Sequence, residues 1–165
     1  MSLVMPGFDR SVVVRGAEAE VVGKSPTHVQ LLADSSATGG ALSTVRVTLG
    51  AGSDGARPHH RAGSAELFYV LEGELQVLSG SDIITSQRGD LIVVPPNQLH
   101  AFRPAQGKSA DLLIVITPGV ERFEYFRKLE RIAYGKEPPA SLRDVQELYD
   151  TYFGTSPEWD TARPA

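Results

Sequence analysis

Three of the four histidines in this 165-residue sequence fall between residues 58 and 100. His59 and His60 stand side by side after Pro58, and His100 closes the run Pro95-Pro96-Asn97-Gln98-Leu99. Between them, Glu66 opens the apolar segment Leu67-Phe68-Tyr69-Val70-Leu71. Imidazole nitrogens and a carboxylate are the groups that hold a divalent metal when no thiolate is on offer. The chain has no cysteine, which also excludes disulfides and a thiol nucleophile. Without a metal, a carboxylate and an imidazole can instead form a proton-transfer pair.

Strand geometry decides which of these groups can meet. Residues i and i+2 of a strand share a face, so His59 and Arg61 point one way and His60 the other. Glu66 follows the short turn Ala62-Gly63-Ser64-Ala65 and shares a face with Phe68 and Val70. His100 heads a further strand after the prolines. If these strands are neighbours in a closed antiparallel sheet, His59, Glu66 and His100 converge at one end of its interior. His60 is the alternative ligand. Arg61 is expected at the rim, as a cation able to bind an anionic substrate; turned inward, it would face a dication and repel it. His28 stands far from the cluster and reads as a partly exposed strand histidine.

The elements that must position these residues are mostly strands. Ser11–Arg15 is a candidate edge strand, Thr27–Ala33 a second, and Leu42–Leu49 alternates with period two. Segments 66–71 and 74–78 flank Glu72-Gly73, which reads as a hairpin turn. Short apolar runs follow at 83–85, 91–94, 100–103 and 112–117, each bounded by glycine, proline or aspartate. Many short strands at close spacing predict an all-β antiparallel sandwich or barrel rather than a βαβ fold. Leu67–Leu71 is apolar on both faces, so something covers its outside: the N-terminal strands, the C-terminal helices or a second subunit. A homodimer is expected.

After Gly119 the pattern becomes helical, with Val120, Phe123, Phe126, Leu129, Ile132 and Ala133 in one stripe. Ser141 is a candidate N-cap for a second helix carrying Leu142, Val145, Leu148, Tyr149 and Tyr152. The chain thus reads as one domain over 1–165, with N-terminal strands at 1–41, a barrel core at 42–118 and a helical extension at 119–165. The composition, 41% hydrophobic and 22% charged with net charge -4, is that of a globular protein with no global attraction for nucleic acid or anionic lipid. No apolar run approaches the roughly 20 residues that span a membrane. No secretory leader pattern is visible, and a cytoplasmic location is expected.

The stretch resembles the cupin superfamily. Glu66 and Gly73 keep the closing spacing of the first cupin motif, around Tyr69-Val70-Leu71-Glu72-Gly73, and Gly89 with Pro95-Pro96-Asn97-Gln98-Leu99-His100 is similar to the second. Asn97 replaces a turn glycine, and asparagine accepts the left-handed conformation. The resemblance implies a double-stranded β-helix, or jelly roll, with C-terminal α-helices. It also implies a metal site of His59, Glu66 and His100 suited to Fe, Mn, Ni or Zn, with Arg61 where the motif has its second histidine. Within the superfamily the chain looks like small quercetinase-like proteins. That implies a dioxygenase acting on a phenolic or enolic substrate, with Glu66 as ligand and catalytic base and Arg61, Phe68 and Phe102 against the substrate. The alternative is a metal-free cupin, either an acid/base isomerase using Glu66 and His100 or a binding module for a small organic anion.

Overall fold

The computed structural model describes residues 8–162. Ten strands follow one another as β1 (Val21–Val22), β2 (Thr27–Ala33), β3 (Ser43–Leu49), β4 (Ala56–His60), β5 (Ala65–Ser79), β6 (Asp82–Gln87), β7 (Leu91–Val94), β8 (His100–Pro104), β9 (Ala110–Thr117) and β10 (Tyr152–Phe153). Two helices, α1 (Phe123–Ala133) and α2 (Pro157–Thr161), come from the C-terminal part. The strands are antiparallel and ordered β1-β2-β3-β9-β5-β8-β4-β10, with β6 and β7 also paired to β5. This is the expected all-β antiparallel barrel with short C-terminal helices.

Alternation builds the barrel wall. In β3, Ser43, Val45, Val47 and Leu49 are buried while Arg46 and Thr48 are exposed. In β9, Leu112, Ile114 and Ile116 turn inward. These side chains meet Val29, Phe68 and Val70 in one apolar core. Burying a side chain of this size contributes about 1.5–3 kcal/mol. On the outer surface, Arg46 forms a two-pronged ion pair with Asp111 across β3 and β9, at 3.0 and 2.5 Å.

Gly73 is not a hairpin turn. β5 runs unbroken from Ala65 to Ser79; its first half pairs with β7 and β9, its second half with β6 and β8. The register with β9 shifts between Val70 and Glu72. Gly73 has φ +81°, and a Cβ there would overlap the Ser109 carbonyl. The glycine therefore serves a strand that crosses from one sheet to the other. The same long strand explains its doubly apolar sequence. Phe68 and Val70 face the core, while Leu67 and Tyr69 lie outward beside Leu91 and Val93 of β7.

Two further expectations change. Residues 11–15 form no strand; a short 3-10 turn at Gly16–Glu18 precedes β1. The predicted second helix is a 3-10 segment, Pro139–Val145, followed by turns. Two prolines at its start fix the backbone but supply no N–H donors, and the chain must then reverse to place β10 against β4. Tyr152 pairs with His60 and Phe153 with His59. No helix among the described residues is long and apolar enough to cross a membrane.

Candidate active site

β4 ends in the paired histidines, β5 begins beside Glu66, and β8 opens on His100. His59 and His100 are direct partners across β4 and β8. Two turns fix the approach of these strands. Asn97 adopts φ +68°, as the motif's glycine position requires, and its N–H donates to the Arg61 carbonyl at 2.6 Å. Asp150 accepts from the Ala62 and Gly63 amides at 2.8 and 2.9 Å, clamping the turn that leads to Glu66.

The three expected groups converge. His59, Glu66 and His100 are all buried, and one ligand atom from each lies within 4.8 Å of the others. His59 Nδ1 donates to the Arg57 carbonyl at 2.6 Å, and His100 Nδ1 to the Gln98 carbonyl at 2.9 Å. A carbonyl only accepts, so each ring keeps a proton on Nδ1 and turns Nε2 toward the cluster. Burial, reinforced by the charges of His100 and Arg61, holds the His59 pKa well below the usual imidazole value. Its Nε2 is thus an unprotonated lone pair, and its 4.0 Å approach to Glu66 is not an ion pair. His100 Nε2 lies 2.8 Å from Glu66 Oε2. A carboxylate also only accepts, so this contact requires either a second proton on the ring or a cation shared by the two atoms.

Arg61 does not turn to the rim. It is 3% exposed, and its Nε donates to Glu66 Oε2 at 2.7 Å. Its Nη1 donates to Thr151 Oγ1 at 2.8 Å and to the Asp150 carbonyl at 3.3 Å. Buried acceptors supplied by the C-terminal tail compensate the desolvated guanidinium, which is why it stays inside. Burial alone would raise the Glu66 pKa. The Arg61 charge and the His100 hydrogen bond outweigh it and hold the carboxyl well below the usual range. His60 points away from the cluster and stacks on Tyr152, with ring centroids 5.3 Å apart.

A cavity of about 370 Å³ lies between the barrel interior and α1. His59, Arg61 and Glu66 form its polar end, and Val45, Ile114 and Phe126 are among its apolar walls. Phe102 lines it, whereas Phe68 packs behind Phe102 at 5.3 Å in the core. Two residues that sequence reasoning passed over complete the site. Thr151 Oγ1 accepts from both Arg61 and Arg122, at 2.8 and 3.0 Å, and donates to the Tyr149 carbonyl. Arg122, just ahead of α1, is buried and also lines the cavity. No local signal marks either: each sits in a segment of helical periodicity, and its partners lie far away in sequence.

The donor set fits a divalent metal. It offers an unprotonated Nε2 from His59, the Nε2 of His100 and an ionised carboxylate, with both rings oriented by carbonyls as metal-binding imidazoles commonly are. Arg61 is the opposing feature, since its charge lies against the same carboxylate oxygen.

Residues 45–116 match the Cupin domain family, from within β3 to the end of β9. A search of curated proteins found no match. Among solved structures, Streptomyces Pac13 with uridine is similar at 20% identity, with 68% of this chain and 86% of that chain covered and a TM-score of 0.55; it is described as a nucleoside dehydratase. A predicted oxalate decarboxylase from Thermotoga maritima is 22% identical over 64% of this chain and 98% of its own, with a TM-score of 0.58. The Fe(II) form of HppE is 21% identical, covering 66% and 62% of the two chains with a TM-score of 0.53. At these identities the likeness is one of fold. The matched segment, which holds the first ligand strand and both motifs, is a cupin domain.

Proposed function

We propose that the protein is a metal-dependent cupin enzyme, its metal held by His59, Glu66 and His100, acting on a small organic molecule in the cavity that His59 and Glu66 line. The observation that carries this reading is the pair of carbonyl bonds that places both Nδ1 protons outward. Two Nε2 atoms are thereby directed at an ionised carboxylate. A bound Fe, Mn, Ni or Zn ion would supply Lewis-acid or redox chemistry there. Dioxygenation of a phenolic or enolic substrate is the activity we assign to such a set. The chain's own contribution is orientation. Backbone carbonyls fix both rings, Arg61 fixes Glu66, and the apolar walls keep water from the reacting end. Glu66 stays ionised, yet its lowered pKa makes it a weak base, so its charge matters more than its proton affinity.

The test is metal content of untagged protein by ICP-MS, beside His59→Ala and His100→Ala. About one ion per chain is expected, lost in both variants. No metal after incubation with Fe(II), Mn, Ni and Zn would sink this reading.

One observation favours a second reading: Arg61 already neutralises Glu66 where the motif has a histidine. In a metal-free site, His100 carries the second proton, and the His100–Glu66 pair moves protons on a bound substrate, as an isomerase or dehydratase requires. Both readings need a small-molecule ligand. We also propose that a second copy of the chain covers the outward apolar face of β5 and β7.

A further inference from the structure

The cavity's charge count is unbalanced. Arg61 and Arg122 both line it and both are buried, whereas Glu66 is the one buried carboxylate among the described residues; Lys24, Arg57 and Glu130, which also line it, are not buried. Arg61 takes that carboxylate for itself. Arg122 has no ion pair among the described residues. Its Nη1 donates to Thr151 Oγ1 at 3.0 Å and to the Tyr149 carbonyl at 3.4 Å, both neutral acceptors. Its Nε is the one buried side-chain nitrogen or oxygen, among the described residues, with no hydrogen-bond partner.

The position of Arg122 is built rather than incidental. Its backbone N–H donates to Asp34 Oδ1 at 2.6 Å, and the next amide, Phe123, donates to Asp34 Oδ2 at 3.2 Å. Asp34 thus caps α1 from a distant part of the chain and spends its carboxylate on backbone, not on the guanidinium. The guanidinium carbon lies over the Tyr125 ring, 4.0 Å from its centroid. Stacking engages the face of the group and leaves its in-plane N–H bonds for an acceptor. Burial pushes its pKa down to about 10, so it remains a cation at neutral pH.

A buried, charged donor that the protein leaves unmatched is completed by a ligand that brings the missing acceptor. We propose that Arg122 anchors the carboxylate of a small organic acid whose apolar body fills the cavity. The carboxylate accepts from the guanidinium and supplies the absent negative charge; the hydrocarbon part lies against Val45, Ile114 and Phe126. A carboxylate suits the site better than a phosphate, because of the two buried guanidiniums that line it only Arg122 lacks a carboxylate partner among the described residues, and the remaining walls are mostly apolar. This inference rests on the proposed function only in needing a ligand in the cavity; it requires no metal.

The experiment is calorimetric binding of benzoate and octanoate, and of their neutral amides, to EDTA-treated protein, with Arg122→Met and Arg122→Lys alongside. Each acid is expected to bind wild type at least tenfold more tightly than its amide. Arg122→Met should erase that preference, and Arg122→Lys should keep part of it. Equal binding of acid and amide by wild type, or no binding of any acid, would overturn the proposal. So would an undiminished preference in Arg122→Met. The acid–amide comparison on wild type needs no variant to fold. Loss of the metal reading would appear as missing metal with acid binding intact, so the two failures are distinguishable.

Discussion

Arg61 and His100 converge on a single oxygen atom: Glu66 Oε2 lies 2.7 Å from Arg61 Nε and 2.8 Å from His100 Nε2. A buried carboxylate with two such partners is held in place whatever else occupies the site. The pair at Arg61 is therefore both a structural brace and a regulator of how much positive charge the site tolerates.

Arg61→Met should be strongly destabilising. It leaves the buried Glu66 carboxylate with His100 alone, and breaking a buried pair by removing one partner costs about 3–5 kcal/mol. Chemical denaturation measures this directly. Arg61→Met combined with Glu66→Gln should recover much of the loss, because the uncompensated charge is then gone.

Arg61→His should strengthen metal binding. It restores the imidazole of the cupin motif and removes a cation from the carboxylate oxygen. Competition against a chelating dye is expected to show at least a tenfold gain for Ni or Zn. An unchanged or weaker affinity would mean that the residue at position 61 does not limit the site.

Stability of EDTA-treated protein should fall on mild acidification. In the unfolded chain His59 takes up a proton near pH 6.5. The folded chain refuses it, because burial and the neighbouring positive charges hold that pKa well down. Below about pH 6.5 the unfolded state binds more protons, so stability declines with falling pH, by up to about 1.4 kcal/mol per pH unit for this one group. Glu66 contributes in the opposite chemical sense but the same direction. Its contribution is full above the ordinary carboxylate pKa and is lost as pH falls through its lowered folded value. Thermal melts across pH 4.5–8 should be flatter in His59→Gln between pH 5 and 7.

Asp34→Ala should loosen the start of α1. It removes the acceptor of the Arg122 and Phe123 amides, a loss comparable with a missing helix cap, about 1–2 kcal/mol. Hydrogen exchange should speed up first at residues 122–126.

The outward face of β5 and β7 carries Tyr69, Leu91 and Val93, exposed by 41%, 58% and 60%. Leu91→Lys with Val93→Lys should turn a dimer into a monomer by light scattering while leaving the far-UV spectrum unchanged. A wild type already monomeric at micromolar concentration would end the dimer proposal.

Much of the site was legible because strand parity is a local rule. Two residues apart means one face, so Glu66 and the core-facing Phe68 could be aligned from spacing, while the register of His59 against Glu66 came from the resemblance to the cupin motif. Asn97 was readable because it stands where the motif has a turn glycine, and its left-handed conformation needs nothing distant. The fate of Arg61 was not readable. Its burial depends on Thr151 and the Asp150 carbonyl, 89 and 90 residues away in the order Asp150, Thr151, in a segment whose apolar period suggests a helix. Arg122 was hidden similarly, as a polar residue beside an amphipathic stripe. Gly73 misled because a left-handed glycine between two apolar runs suits a hairpin and a sheet-crossing strand equally; only the partner at Ser109 separates them.

The hydroxyl of Thr151 joins both buried guanidiniums, and it lies about fifty residues after His100. On the ribosome, His59, Glu66 and His100 emerge first, and Thr151 follows roughly 3–10 seconds later at about 5–20 residues per second. The nascent barrel can pair its ligand strands in that interval, but Arg61 and Arg122 lack their shared acceptor until the tail arrives. Completion of the site is thereby tied to synthesis of the segment around Thr151, and a chain that stopped after β9 would carry every residue of the His59–Glu66–His100 cluster without the brace that lets Arg61 stay beside it.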